Sequence, residues 1–270
     1  MASETIRGLE RGLEVLDVLR SSPTSSLQDL HEATRIPKPS LLRILATLSK
    51  RGLVYRRLVD GRYRFSDFSG PIRKRDRYDR VAEAAGPVLD RLCQKVLWPS
   101  DLMVPVGDHM ERRETSQSDS PFFPRRTRRN QVGQAVGWLL TGVGRAYLAF
   151  CSDRERDQIL RRLRNSTKPE DQLARHPKRL DLILAETRKR GYAIRDPIFI
   201  GGSYGEPPRD DGLAAIALPL SGGRHIYGSV NILWIRSAFT VEQFAAQHLV
   251  DLQQAAREIV TTLEQHKPNC

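Results

Sequence analysis

Residues 36–54 read IPKPSLLRILATLSKRGLV, and few folds accept that run. Pro37 and Pro39 hold Ile36 and Lys38 away from helical geometry, so the chain must turn there. Pro39 then suits the first position of a helix, where its missing N–H is no loss. Leu41, Ile44, Leu45 and Leu48 follow at i, i+3, i+4 and i+7, a single apolar stripe. That stripe needs a surface to dock on, and docking it leaves Ser40, Leu42, Arg43 and Thr47 outside. Gly52 ends the helix.

The residues before this run supply the surface. Leu9, Leu13, Leu16 and Leu19, with Val15 beside them, recur at helical spacing. Ser21-Ser-Pro-Thr-Ser breaks that helix. Ser25 with Gln28 fits a capping box opening a short second helix, with Leu27, Leu30 and Ala33 inward. After the third helix comes LVYRRLVDGRYRF, two β-rich runs flanking Asp60-Gly61, a strong hairpin signal. Three helices and a basic hairpin make a winged helix-turn-helix. The third helix is then shaped to enter a DNA major groove, its N-terminal outer face toward the base edges. Lys38, Ser40, Leu42, Arg43 and Thr47 on the helix, with Arg56, Arg62 and Arg64 in the wing, are the candidate DNA contacts. Trihelical modules that only contact proteins are the alternative, against which the basic wing speaks.

Charge is informative because it is localised. The chain of 270 residues carries a net +12. From Arg35 to Arg75 there are twelve Lys or Arg against Asp60 and Asp67, so 12 − 2 = +10 falls within 41 residues. A charge run is often only a solvated face. On a compact motif, a basic stripe suits a polyphosphate, because neutralising phosphates releases condensed counterions.

Other classes recede. No stretch approaches the roughly 18 apolar residues of a spanning helix. The N-terminal MASETIRGLERGLEVLDVL has no basic segment leading into an apolar one, so no signal peptide is expected. Cys93, Cys151 and Cys270 are odd in number and far apart, which suggests neither a disulfide framework nor a thiolate metal cluster. A cytoplasmic protein is expected. His31, His109, His176, His225, His248 and His266 lack metal-ligand spacing, so no metal or other cofactor is expected.

The second half reads as helices on one antiparallel sheet, an α+β domain. SGPIRKRDRYDR is a charged connector without an apolar stripe. A helix from Pro87 buries Val88, Leu92 and Val96, with Leu89 and Cys93 beside them. SDLMVPVGDHMERRETS alternates about Gly107-Asp108 as a strand pair. Helices follow from Gly144 to Phe150, Asp153 to Leu163 and Arg175 to Arg190. LAAIALPL and HIYGSVNILWI are strands joined by a Ser221-Gly-Gly-Arg turn. Thr240 with Gln243 caps a final helix through Phe244, Leu249, Leu252, Ile259 and Leu263. The expected domains are residues 1–70, a linker over 71–86, and a second domain over 87–265.

Catalytic signals are weak. Gly201-Gly-Ser203-Tyr-Gly205 matches the G-x-S-x-G elbow, which demands a helix at the serine, but Glu206-Pro-Pro-Arg-Asp-Asp follows. Gly142-Val-Gly144 lacks the third glycine of a dinucleotide fingerprint, Tyr147 standing there. These glycines instead let a helix start approach a ligand or the sheet. Asp210-Asp211 reads as a turn, and Arg125-Arg-Thr-Arg-Arg129 as a solvated loop with a minor prospect of DNA or partner contact.

GLEVLDVL, LHEATRIPKPSLLRILATLSKRGLV and YRF closely resemble the N-terminal domain of IclR-type bacterial transcription regulators. VGWLLTGVGRAYLAF resembles the opening of that family's effector-domain helix, and RGYAIRDP, DDGLAAIALPL and GSVNILWI its later strands. The second half is most similar to members that control aromatic-acid catabolism. The resemblance implies a winged helix-turn-helix followed by a GAF-like α/β effector domain, with homodimers that commonly pair into tetramers. It implies a regulator, not an enzyme, binding a pseudo-palindromic double-stranded operator under control of a small aromatic carboxylic acid, and it favours activation over repression. It implicates Trp138, Leu139, Thr141, Gly142, Asp196, Ala215, Asn231 and Leu233 as effector-binding. Core packing is an equal alternative for Trp138 and Leu233. Pro39 stands where members usually carry Ser, and Leu42 where a polar or aromatic residue is common. Ala215 replaces a frequent Cys and Leu233 a small polar residue, both making a cavity more apolar. A hydrolase-type enzyme using the second domain and a ligand-blind interaction module are the competing functions.

Overall fold

A computed structural model describes residues 6–21, 25–51, 53–57, 61–65, 77–117, 120–122, 133–223 and 225–265. The chain divides into compact units, Met1–Asp76 and Arg77–Cys270. Within the first, α1 (Arg7–Ser21), α2 (Leu27–Thr34) and α3 (Lys38–Lys50) precede an antiparallel pair, β1 (Val54–Arg56) and β2 (Tyr63–Phe65). Val15, Leu16, Leu19, Leu30, Ile36, Leu41, Leu45, Val54 and Phe65 form its core.

Three local readings are corrected here. Burial in α1 is confined to its C-terminal half, and Leu9 and Leu13, expected inside, are exposed. Ser26, not Ser25, caps α2, with Asp29, not Gln28, as its reciprocal partner: Ser26 Oγ accepts the Asp29 N–H at 3.1 Å and Asp29 Oδ2 accepts the Ser26 N–H at 2.9 Å. The reason is the wing, because Ser25 is buried and exchanges both backbone hydrogen bonds with Tyr63, at 3.0 and 2.8 Å. Ala33, expected inside, is exposed, and Thr34 is buried in its place with its hydroxyl on the Leu30 carbonyl at 2.7 Å. Gly52, Asp60, residues 71–76 of the linker expected over 71–86, and the Arg125–Arg129 run lie outside the described residues.

The second unit opens with α4 (Arg77–Val96). A helix beginning at Pro87 was expected, but α4 runs through that proline. Pro87 lies on the exposed side, and the buried Val88, Leu89, Leu92, Cys93 and Val96 hold the opposite side to the core. Next come β3 (Ser100–Val106), β4 (His109–Thr115), β5 (Ala135–Val136), α5 (Gly142–Phe150), α6 (Asp153–Arg164), a 3₁₀ turn over Pro169–Arg175, and α7 (Pro177–Arg190). The chain ends with β6 (Ala193–Ile194), β7 (Leu213–Gly222), β8 (His225–Ile235) and α8 (Val241–Gln265). The six strands form one antiparallel sheet in the order β5-β4-β3-β8-β7-β6. The two-residue β5 has no counterpart in the sequence reading.

Period-two alternation divides the sheet between two covers. Trp234 stacks on Phe244 of α8 with ring centroids 3.9 Å apart, and α8 packs on α4. Ala193 and Ala217 instead join the cluster of Trp138, Leu139, Val143, Tyr147, Leu180 and Leu184, so α5 and α7 cover that side. Thr240 and Gln243 cap α8 reciprocally, as expected, at 3.0 and 3.2 Å.

Candidate nucleic-acid interface and ligand cavity

On α3 the docked side chains Leu41 and Leu45 are buried, while Lys38, Leu42, Arg43 and Thr47 are exposed and Ser40 is half-buried. The helix starts one residue earlier than Pro39, with Pro37 at its cap. The wing is less uniform than its sequence. Arg56 is exposed, its Nε on the Gly61 carbonyl at 3.0 Å and its guanidinium 6.0 Å from the Tyr63 ring centroid. Gly61 has φ +67°, a turn conformation that glycine takes without strain. Arg62 reaches back to Asp29 of α2 at 3.2 Å. Arg64, expected on the open side, is buried at 7% exposure, although it lies on the strand face opposite Tyr63 and Phe65, which pack on the core.

In the second unit a small cavity of about 70 Å³, open to solvent at its mouth, lies between the sheet and the start of α5. Alternate residues of neighbouring strands supply its floor: Asp101 and Met103 from β3, Arg112 from β4, Asn231 and Leu233 from β8, Leu213 and Ala215 from β7. Registers bring these together, with Met103 opposite Arg112, Asp101 opposite Asn231 and Ala215 opposite Leu233. Val136, Thr141, Gly142 and Val143 form one wall. Arg195, Phe199, Gly202 and Asp211 form the other, from the end of β6 and the loop over 197–212.

The polar groups of this cavity are largely committed to one another. Thr141 caps α5: its hydroxyl accepts the Gly144 N–H at 3.2 Å and donates to the Gly137 carbonyl at 2.6 Å. The N–H groups of Gly142 and Val143 have no hydrogen-bond partner among the described residues, as the first turn of a helix requires. A Cβ on Gly142 would lie 3.3 Å from that of Ala217 and 3.4 Å from the Arg195 nitrogen, so α5 starts flat against the sheet. Asn231 Oδ1 accepts the Asp101 N–H at 2.8 Å, and Arg112 pairs with Asp101 at 3.0 Å. Tyr204 fastens the loop by donating to Asp171 Oδ2 at 2.6 Å, under Lys168, whose Nζ is 3.7 Å from the ring centroid. Burial, and then that carboxylate, raise the Tyr204 phenol well above its ordinary range.

The IclR helix-turn-helix domain matches residues 8–58. Over 223 residues the chain is 26% identical to the HTH-type transcriptional regulator BhcR of Paracoccus denitrificans, covering 80% of this chain and 72% of that protein. Residues 8–58 therefore carry an IclR helix-turn-helix domain, and the chain is similar to IclR-type transcription regulators. Its fold is shared with an IclR family transcriptional regulator from Brucella abortus, at 20% identity and a TM-score of 0.52 over 97% of this chain and 94% of that one. It is shared too with an IclR homolog from Microbacterium hydrocarbonoxydans complexed with 4-hydroxybenzoate, at 18% identity and a TM-score of 0.51 over 96% and 99%.

Of the eight residues expected to bind an effector, Thr141, Gly142, Ala215, Asn231 and Leu233 line the cavity. Trp138 and Leu139 do not; both are fully buried in the cluster beneath α5. Asp196 also lies off the cavity wall, paired with the buried Arg145 of α5, whose guanidinium burial would otherwise make charging harder. Arg112, Arg195, Asp101 and Asp211 were not anticipated. Asp101 had a sequence signal, a charge at an inward position of an apolar strand, whereas Asp211 comes from a loop without periodicity. No helix follows Ser203, so the G-x-S-x-G run lacks the geometry of a nucleophile elbow.

Proposed function

We propose that this regulator binds a pseudo-palindromic operator as a homodimer and that a small aromatic carboxylic acid, held in the cavity of the second unit, controls it. The observation that carries the ligand reading is the cavity itself, apolar along Met103, Val136, Val143, Phe199, Leu213, Ala215 and Leu233, with hydrogen-bond donors gathered at α5. A ring gains from such walls roughly 25 cal/mol per Å² of apolar area removed from water, before association costs. A carboxylate needs donors and favours a helix start. The neighbour solved with 4-hydroxybenzoate makes this ligand class a reasonable probe. On the DNA side, Lys38, Ser40, Leu42, Arg43 and Thr47 face the bases and Arg56 and Arg62 the phosphates. Dimer symmetry sets half-sites whole helical turns apart, about 10–10.5 bp or multiples. Activation is favoured over repression.

Footprinting with benzoates, phenylpropionates and short aliphatic acids, paired with calorimetry, tests this. The expected result is a symmetric footprint whose affinity changes with an aromatic acid. Tight binding of pyruvate or glyoxylate with none by aromatic acids overturns the aromatic reading. A one-sided footprint by a monomer overturns the dimer.

A further inference from the structure

Arg195 has an unusual position for a cation. Its side chain is only 7% exposed and it forms part of the cavity wall. Nε donates to the Phe199 carbonyl at 3.1 Å, and Nη2 donates to both carboxylate oxygens of Asp211, at 2.9 and 3.0 Å. Nη1 has no hydrogen-bond partner among the described residues. Asp211, the counter-charge, comes from the loop and is far more exposed, at 36%. A buried guanidinium therefore presents one edge to a loop carboxylate and keeps a second edge unused.

That unused edge has company. The backbone of Arg195 lies against Gly142, and the N–H groups of Gly142 and Val143 are unbonded. Asn231 commits Oδ1 to Asp101, and Nδ2 has no partner among the described residues. All four residues line one cavity. Unpaired donors from these four residues converge there, with the positive end of a helix behind two of them, which suits an anion, while the carboxylates of Asp101 and Asp211 line the same cavity.

We infer that Arg195 is the residue that selects a carboxylate in this cavity, together with the first amides of α5, and that Asp211 is its resident counter-ion when no ligand is bound. This rests on the effector reading above and assigns the anion to one side chain. Asp211 is then a competitor as well as a partner. Its charge neutralises Arg195 in the empty cavity and opposes a second carboxylate beside it.

Titration calorimetry on the full chain decides this, with benzoate, 4-hydroxybenzoate, 3-phenylpropionate, pyruvate and the uncharged 4-hydroxybenzamide as probes. Arg195→Met is expected to weaken the carboxylate that binds the unmodified protein by about ten- to a hundredfold, the worth of a charge-assisted hydrogen bond, and to leave the amide unchanged. Arg195→Lys restores part of the loss. Asp211→Asn, which keeps the shape and removes the charge, is expected to tighten carboxylate binding several-fold without tightening the amide. Operator binding and circular dichroism report that each variant is folded. Undiminished carboxylate binding by Arg195→Met, or weaker carboxylate binding by Asp211→Asn, overturns this assignment alone. No binding of any probe by the unmodified protein overturns the effector reading and this assignment with it.

Discussion

Arg62 of the wing holds Asp29 of α2, Nη1 to Oδ2 at 3.2 Å. The same carboxylate oxygen accepts the Ser26 N–H at 2.9 Å, so one side chain caps a helix and anchors the wing beside it. A wing placed by a residue of the helix-turn-helix keeps a fixed position relative to α3, which a rigid DNA-reading surface requires.

Replacing Asp29 by Ala should therefore destabilise the first unit by about 1 kcal/mol, the usual worth of such a cap. The dependence on pH follows from the direction of its shift. Hydrogen bonds from the Ser26 backbone and hydroxyl, and then Arg62, hold Asp29 below its ordinary 3.8. Its contribution is thus complete above that value and is lost as pH falls through the lower folded one. Urea denaturation should show the wild type and Asp29→Ala converging below about pH 3.8. An equal gap at pH 3 and pH 7 would refute the titration.

Asp196 should behave as a structural residue. Its partner Arg145 is 5% exposed in the side chain and also donates to the Leu139 carbonyl at 2.7 Å. Asp196→Ala strands that guanidinium in the core, at an expected cost of about 3–5 kcal/mol. Thermal unfolding should reveal the loss, while calorimetry on the folded protein should find effector affinity unchanged. A weakened affinity with normal stability would return Asp196 to the binding site.

Gly144 gives a sharper packing test. A Cβ there would lie 2.2 Å from the Trp138 carbonyl oxygen and 2.5 Å from its Cα, both backbone atoms that no rotamer can move. Gly144→Ala should unfold or strongly destabilise the second unit, by about 3 kcal/mol or more given the 1–3 kcal/mol of ordinary overpacking. Gly107→Ala makes the control, since nothing lies within 4 Å and only its φ of +55° is strained. Equal melting temperatures for Gly144→Ala and the wild type would show that α5 can shift.

Much of this was readable from residue order, and the failures have local causes. The stripe of α3, the Gly107 turn and the Thr240–Gln243 cap are contained within a few residues, so spacing alone finds them. The Ser26 cap was misplaced by one residue because Ser25 is taken by Tyr63, some forty positions away in the chain. Pro87 looked like a helix start because its tolerance inside α4 depends on which side faces solvent. The cavity was half legible: Thr141, Gly142, Ala215, Asn231 and Leu233 came from resemblance, but the Arg195–Asp211 pair arises when a loop folds back. Arg64 shows the same limit: it is buried on the face of β2 opposite the core residues Tyr63 and Phe65, which period-two spacing would leave open.

On α3, Arg43→Ala should weaken the preferred operator by about 1–3 kcal/mol and relax its sequence preference, the mark of a bidentate base contact. Arg56→Ala in the wing should weaken every sequence alike and reduce the slope of affinity against salt. Fluorescence anisotropy with specific and scrambled duplexes at several salt concentrations separates the two. Intact discrimination in Arg43→Ala would displace α3 as the reading helix.

Filling the cavity offers the cleanest separation of the two units' roles. Asn231→Leu is the obvious first variant, but Asn231 Oδ1 accepts the Asp101 N–H at 2.8 Å within the sheet. Leucine would orphan that buried amide, at about 1–3 kcal/mol, and confuse stability with binding. Ala215 has no such duty: its side chain lies in the cavity wall opposite Leu233, 4% exposed. Ala215→Phe would place a ring in the open volume, where an added side chain meets space before it meets packed atoms. The expected outcome is a protein that melts close to the wild type and binds its operator unchanged, yet gives no calorimetric heat with aromatic acids and no effector-dependent footprint. If Ala215→Phe kept its effector response, the ligand would have to lie elsewhere, even with the DNA-binding domain intact.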